Sequence, residues 1–419
     1  MKPEARAGMV GGTEKAGRTE PGAVAGLSAE RRERFSRQMR FAPIGEKGQL
    51  ALFRSRVLIA GVGSLGCALA QHMARAGVGS IVLADRDYVE WSNLQRQMLF
   101  DEEDARQCLP KAVAAAKKLR RVDSGLAVEA VVADLTAPGA LEKAAAGCDL
   151  VLDGTDNAAV RLRLSDWCFA HGVPLLYGGV AGASGMSAPL VPGATCCLRC
   201  LIGGEEEQES GETCDTVGML SPAVELVAAL QAAEALKWLS GSRGELRRTL
   251  ATASVWPLSL RELKLPGPTR TCPACGEAGQ AQRGGSGAGE LSRSGSRKAE
   301  AAREARGPAV EASSARSEPQ AAATVDAAFK PRKTAVLSAV LCGRDTVQVE
   351  LSEPQPLDVY RRQLEAAGCA VMRNPYLLRA ELPDEGARLV VFPDGRVLVQ
   401  GAGDPDEALR VCERYLPVS

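Results

Sequence analysis

Histidine is almost missing from this chain of 419 residues, which contains only His72 and His171. That scarcity excludes histidine-rich metal sites and argues against a Ser-His-Asp triad, since both need imidazole where the chemistry happens. For these two histidines, packing or a helix-end role is the expectation. An excess of charge is missing too: 51 basic and 51 acidic residues cancel, so nothing indicates a nucleic-acid partner. No apolar run near the N-terminus resembles a signal peptide. No stretch approaches the ~20 apolar residues that cross a bilayer, so no membrane partner is expected. These absences lead us to expect a cytoplasmic protein. Cysteine, by contrast, is plentiful at 13 residues, an odd number. In a reducing compartment such cysteines serve as ligands, nucleophiles or small core residues. Apolar residues make up 45% of the chain, enough for two or three domain cores.

Composition divides the chain. Residues 1–29 have no apolar period and read as a disordered tail. From Glu30 the pattern predicts a helix, a turn and a second short helix leading into a strand, Arg56 to Ala60. A helix from Leu65 to Ala76 follows, then a strand from Ser80 to Ala84. Lys111 to Arg121 is helical after Pro110, and Val128 to Val132 reads as a strand. Leu150 to Asp153 is a buried strand followed by a helix through Ala170, with a further strand at Pro174 to Tyr177. This rhythm predicts an α/β fold, a Rossmann-like, doubly wound, mostly parallel sheet with helices on both faces. Gly-rich strands and a long apolar helix, Pro222 to Leu239, complete a domain over 30–278. Residues 279–329 read as a flexible linker. Residues 330–419 read as a small C-terminal α+β domain ordered strand, helix, strand, hairpin, helix, with Asp394-Gly395 at the hairpin turn.

Within the sheet, Gly61-Val62-Gly63-Ser64-Leu65-Gly66 follows a strand and opens a helix. Such glycines let backbone approach phosphate, and the helix N-terminus favours negative charge. Asp85, at the end of the next strand, stands where a ribose-binding acid is expected. Alone, these features fit a nicotinamide or flavin site equally well. The run Asp87 to Gln97 is less common. Ser92, Asn93, Gln95 and Arg96 put a fixed cation beside amides, and Arg96 suits bidentate phosphate binding. Lys111 opens a helix and offers a mobile ammonium to the same phosphates. Asp156 and Asn157 follow a strand at its carboxyl end, where Asp156 suits Mg²⁺ held with substrate phosphates. The set suggests phosphate chemistry run by electrostatics.

Cys197-x-x-Cys200 and Cys272-x-x-Cys275 have zinc-knuckle spacing, and four thiolates complete a tetrahedron. A redox role for one pair is the alternative, but two pairs in one domain favour metal. Cys196 does not fit the spacing. Cys214, in the polar, Gly-flanked run GETCDTVG, is the best candidate for an exposed reactive thiol, although Glu212 and Asp215 flank it.

Taken in order, GVGSLG, DRDYVEWSNLQRQ, LPKA, DGTDN, CLRC, TCDTVG and CPACG resemble the ThiF/MoeB-type sulfur-carrier adenylyltransferases, bacterial relatives of the ubiquitin-activating enzymes. The resemblance covers roughly Glu30 to Glu277. It implies an adenylyltransferase that uses ATP and Mg²⁺ on the C-terminal glycine of a ubiquitin-like sulfur carrier ending in Gly-Gly, for thiamine-thiazole or molybdopterin synthesis, with a sulfur donor protein as a further partner. By motif, Gly61, Gly63, Ser64 and Gly66 would cradle the nucleotide. Asp85 would bind ribose. Asn93, Gln95, Arg96 and Lys111 would bind the phosphates, with Ser92 also in the nucleotide site. Asp156, with Asn157 beside it and Asp87 nearby, would hold Mg²⁺. The four paired cysteines would hold structural Zn²⁺. Cys214 matches a cysteine that in some relatives forms a covalent sulfur link, and Arg37 matches an arginine that reaches a partner's site, implying a homodimer. The C-terminal domain, placed after a linker, suggests carrier docking. Two other readings stand beside this one: an NAD(P)-dependent oxidoreductase, which leaves Arg96, Lys111 and Asp156 unemployed, and a catalytically silent nucleotide-binding scaffold.

Overall fold

In a computed structural model of the chain, the described residues are 27–202, 217–276, 335–340, 346–383 and 386–416. Cys214, most of the expected N-terminal tail and the expected linker lie outside them. The first helix, α1 (Ala29–Met39), is capped by the Ser28 hydroxyl, which accepts from Arg31 N. After α2 (Gly45–Arg54) the chain enters an eight-stranded sheet.

Its strands are β1 (Arg56–Ala60), β2 (Ser80–Asp85), β3 (Ala127–Val132), β4 (Leu150–Asp153), β5 (Leu175–Ala181), β6 (Ser184–Leu190), β7 (Thr249–Val255) and β8 (Leu258–Lys264), arranged β3-β2-β1-β4-β5-β6-β7-β8. The first five pair in parallel; the last three continue the sheet antiparallel. The β7–β8 hairpin is an addition to the elements predicted from sequence.

The apolar runs are continuous because both faces of the sheet are covered. Val57 and Ile59 of β1, with Ile81 and Leu83 of β2, enter one core, while Leu58, Ala60, Val82 and Ala84 enter the other. The first core is closed by α3 (Ser64–Ala76), α5 (Lys111–Val122) and α9 (Ser221–Leu239); the second by α6 (Ala140–Ala145) and α7 (Ala158–His171). Two short helices complete this part, α4 (Glu102–Arg106) and α8 (Leu198–Ile202). The apolar helix α9 is thus core. Its fully buried Gln231 donates from Nε2 to Asp153 O (3.0 Å) and Leu176 O (2.9 Å), tying β4 to β5.

A second, six-stranded sheet follows, with β9 (Ala335–Val340), β10 (Thr346–Leu351), β11 (Ala370–Arg373), β12 (Leu378–Glu381), β13 (Arg388–Val391) and β14 (Arg396–Gln400) in the order β11-β12-β13-β14-β10-β9. All its pairings are antiparallel. Helices α10 (Leu357–Ala366) and α11 (Pro405–Tyr415) supply residues to its core. Two strands precede α10 where one was expected, and β12 is additional. The β13–β14 loop is Pro393-Asp394-Gly395, with Gly395 at φ 93° and Phe392 N bonded to Arg396 O.

Gly61 has φ 78°, and a Cβ on it would stand 2.8 Å from Gly154 O. A Cβ on Gly66 would stand 1.9 Å from Gly61 O. Strand β1, the start of α3 and the end of β4 therefore meet backbone to backbone. Gly66→Ala is expected to cost about 3 kcal/mol through overpacking against backbone that cannot yield, a loss to be read from the midpoint of urea unfolding.

Candidate active site

The order β3-β2-β1-β4-β5 reverses direction between β1 and β4, and ligands of such sheets bind there, beyond the carboxyl ends of the strands. A cavity of about 810 Å³ opens at this place. Gly61, Gly63, Ser64, Asp85, Asp87, Arg96, Lys111, Asp156 and Asn157 all line it. Gly63 is the N-cap of α3, and a Cβ placed on it would meet only the Gln97 amide, 4.0 Å away. Packing therefore does not require glycine at 63. The open space in front of it leaves the N-terminus of α3 accessible from the cavity.

Asp85 braces this loop. Its Oδ2 accepts from Val62 N (2.6 Å) and its Oδ1 from Asp87 N (2.7 Å). Burial raises its pKa, with Lys111 pulling the other way. Lys111, itself buried, reaches Asp87 Oδ2 with its ammonium at 3.0 Å, while its backbone N donates to Asp87 O (2.9 Å). The strand end and the start of α5 are thus tied by both backbone and charge. Arg96 donates from Nη1 to Ser92 O at 2.9 Å. Asp156 is exposed to the cavity, and Asn157 caps α7 by accepting from Val160 N at 3.0 Å.

Other expected residues lie elsewhere. Asn93 is fully buried and forms a capping box with Glu90, whose N donates to Asn93 Oδ1 at 3.1 Å. Ser92 and Gln95 are exposed and do not line the cavity. Gly66 sits behind the loop, where it permits the contact with Gly61. Arg37 is exposed on α1, away from the cavity of its own chain.

Several lining residues went unnoticed in the sequence. Arg86 pairs with Asp134 at 2.7 Å. Although burial opposes it, the Thr136 hydroxyl and the Arg86 guanidinium hold the Asp134 carboxyl below its ordinary value. Arg161, one turn into α7, donates to Thr155 O at 2.5 Å and lies 3.4 Å from fully buried Asp153. Burial raises the Asp153 pKa against the pull of Arg161. A repeated signal was available. At the ends of β3 and β4 an Asp-x-Thr motif closes the same turn, with Oδ1 of Asp134 or Asp153 accepting from the backbone and hydroxyl of Thr136 or Thr155.

Away from this cavity, Cys197, Cys200, Cys272 and Cys275 converge with their sulfurs within 4.8 Å of one another. Cys197 and Cys272 are 3.6 Å apart, and Cys200 and Cys275 3.7 Å. Zinc–thiolate bonds of ~2.3 Å in a tetrahedron need sulfurs about 3.8 Å apart, so this donor set fits Zn²⁺. Burial works against the Cys272 thiolate, yet backbone N–H groups of Cys275 and Ala274 and the neighbouring thiols bring its pKa down to about 7. The first pair is anchored to α7, where Ser165 Oγ accepts from Leu198 N (3.0 Å) and Asp166 pairs with Arg199 (2.8 Å). Cys196 stays outside the cluster. We expect one zinc per chain by elemental analysis. Cys272→Ser should abolish it and lower the melting temperature, while any folded fraction keeps its turnover.

The ThiF family matches residues 35–274. The chain is 35% identical over 386 residues, 91% of its own length and 99% of the relative's, to "Sulfur carrier protein ThiS adenylyltransferase" of Bacillus subtilis (strain 168). A match of that length takes in part of the second sheet. The protein of the same name in Escherichia coli (strain K12) is 40% identical over 58% of this chain and 94% of its own. "Molybdopterin-synthase adenylyltransferase" of the same organism is 38% identical over 61% of this chain and 100% of its own. Among solved structures, E. coli MccB with ATP shares the fold at a TM-score of 0.51 and 22% identity, over 58% of this chain and 74% of that one. No helix among the described residues is long and apolar enough to cross a membrane. By extent of match and identity, the chain belongs to the ThiF family.

Proposed function

We propose that this protein is an adenylyltransferase that uses ATP to activate the C-terminal glycine of a ubiquitin-like sulfur carrier. The supporting observation is the single cavity wall that joins the glycine loop, Arg96, Lys111 and Asp156. The full-length likeness to a ThiS adenylyltransferase favours the carrier of thiamine-thiazole synthesis over that of molybdopterin synthesis. The oxidoreductase reading has no use for these cations, and ThiF membership speaks against it.

The chemistry follows from charge. A carrier carboxylate attacks the α-phosphorus of ATP, the bond to the bridging oxygen breaks, and pyrophosphate leaves with that electron pair. Anion meets anion, so the barrier is repulsion, and cations held in place lower it without a proton-transfer group. Arg96 and Lys111 supply positive charge, and the N-terminus of α3 adds the partial charge of its free N–H groups. Asp156 would hold Mg²⁺, which needs only one or two carboxylates beside phosphate oxygens. Asp85 would receive the ribose. Cys214 is proposed as the residue whose sulfur links covalently to the carbonyl of the activated carrier as the acyl–phosphate bond breaks and AMP leaves, with sulfur delivered by a donor protein. We place the enzyme in the cytoplasm.

Lys111→Ala should lower carrier-dependent exchange of labelled pyrophosphate into ATP at least about 100-fold. No exchange by the unaltered chain with any ThiS-like or MoaD-like carrier would sink the proposed function. Arg37 lies outside its own cavity, so we propose a homodimer in which it completes the partner's site. Arg37→Ala and Lys111→Ala chains, each nearly inactive, should recover about one quarter of full activity when co-assembled, as random pairing with one intact site per mixed dimer requires. No recovery would assign Arg37 to its own chain, and a fully active Arg37→Ala chain would deny it a catalytic role.

A further inference from the structure

The second sheet is covered on one face by its own helices and, along β13 and β14, on the other face as well. Along β14, Val397 and Val399 enter its own core, while Leu398, between them, enters a different cluster with Tyr88, Cys108, Leu377, Val390 and Phe392. Tyr88 and Cys108 belong to the nucleotide-binding domain, so β13 and β14 bury their second face against it. The alternation is that of a strand with two packed sides.

The contact falls on the segments that carry the charged residues of the cavity. Gln400 donates from Nε2 to Tyr88 Oη (3.0 Å) and lies 3.3 Å from Glu90 Oε1. Arg396, buried, donates to Arg86 O at 3.4 Å. Asn374 donates to Gln107 O (2.8 Å) and Cys108 O (3.2 Å). Between these two grips, residues 87–89 and 109–111 are laced together: Val89 N donates to Leu109 O and Lys111 N to Asp87 O. Thr346, Leu398 and Gln400 also line the cavity itself.

We propose that the C-terminal sheet is a wall of the nucleotide site, in which Arg396 and Gln400 act as positioning residues that hold the Arg86–Glu90 segment, and through it the Asp87–Lys111 pair, where the triphosphate is received. This rests on the ATP-dependent function proposed above. It assigns the sheet to nucleotide affinity and leaves carrier affinity to other surfaces. Side chains that fix a segment before the ligand arrives lower the ordering cost of binding.

The test uses the full chain. Gln400→Leu removes the donated hydrogen bonds at nearly constant volume. We expect the Kd of a non-hydrolysable ATP analogue and the KM for ATP in pyrophosphate exchange to rise about tenfold. kcat should stay within about twofold and carrier KM should not change. Amide hydrogen exchange over Arg86–Glu90 should quicken. Gln400→Glu keeps a polar side chain but sets a carboxylate against Glu90, and should shift Kd in the same direction. Arg362→Ala, at an exposed position of α10 where the guanidinium donates to Asp358 O within the helix, should change none of these. Unchanged analogue Kd in both Gln400 variants overturns the inference. So does a rise in carrier KM alone, which would make the sheet a carrier dock. A chain that binds the analogue yet exchanges with no carrier refutes the proposed function, while the binding measurements still decide this inference.

Discussion

The site depends on one steric fact: three glycines let backbone touch backbone where β1, β4 and α3 meet. Gly66 stands against Gly61 O and Gly61 against Gly154 O, at distances no Cβ tolerates. That contact aims the N-terminus of α3 at the cavity and sets the ends of β1 and β4 side by side. Three carboxylates of the site region are then placed by strand ends. Asp85 stands at the end of β2, Asp134 just beyond β3 and Asp153 at the end of β4. An α/β sheet gathers such ends at one edge, so residues as far apart as Asp85 and Arg161 line one space although the chain passes through the sheet twice between them.

Much of this was legible. The doubly wound sheet follows from short β-branched runs separated by helical periods, and Val57-Leu58-Ile59 is apolar throughout because alternate residues feed opposite cores. The glycine loop, Lys111 and Asp156 could be placed because each lies directly at an element boundary. Asn93 could not. Its amide has the chemistry of a phosphate ligand, yet it is buried as the return arm of a capping box, and only the three-residue spacing from Glu90 hints at that. The β7–β8 hairpin was hidden for another reason. Every residue of β8 is exposed, so no burial pattern marks the strand. Arg161 was hidden by ordinary context, since an arginine on a helix is by default a solvated one.

The electrostatics of the cavity are balanced before any ligand arrives. Lys111 is held by Asp87, Arg86 by Asp134 and Arg161 by Asp153. Buried cations without such partners would be costly. In two of these pairs the carboxylate, Asp134 or Asp153, is itself held by the backbone and hydroxyl of Thr136 or Thr155, which keeps the paired arginine aimed. An anion entering this space would meet charge already positioned, which is the condition under which electrostatic stabilisation acts most strongly.

The second sheet extends that logic. A small α+β domain free in solution would show one apolar and one polar face along each strand. The runs Leu389-Val390-Val391-Phe392 and Val397-Leu398-Val399 do not alternate, and the reason is visible in where they go: Leu389, Val391, Val397 and Val399 to their own core, and Val390, Phe392 and Leu398 to the joint with Tyr88 and Cys108. Hydrophobicity on the second face is thus a record of docking, and the docked surface is the back of the segment that carries Asp87. Detaching the sheet would expose that apolar face to water and release the segment together, so the order of the nucleotide site and the burial of the joint are one free-energy change.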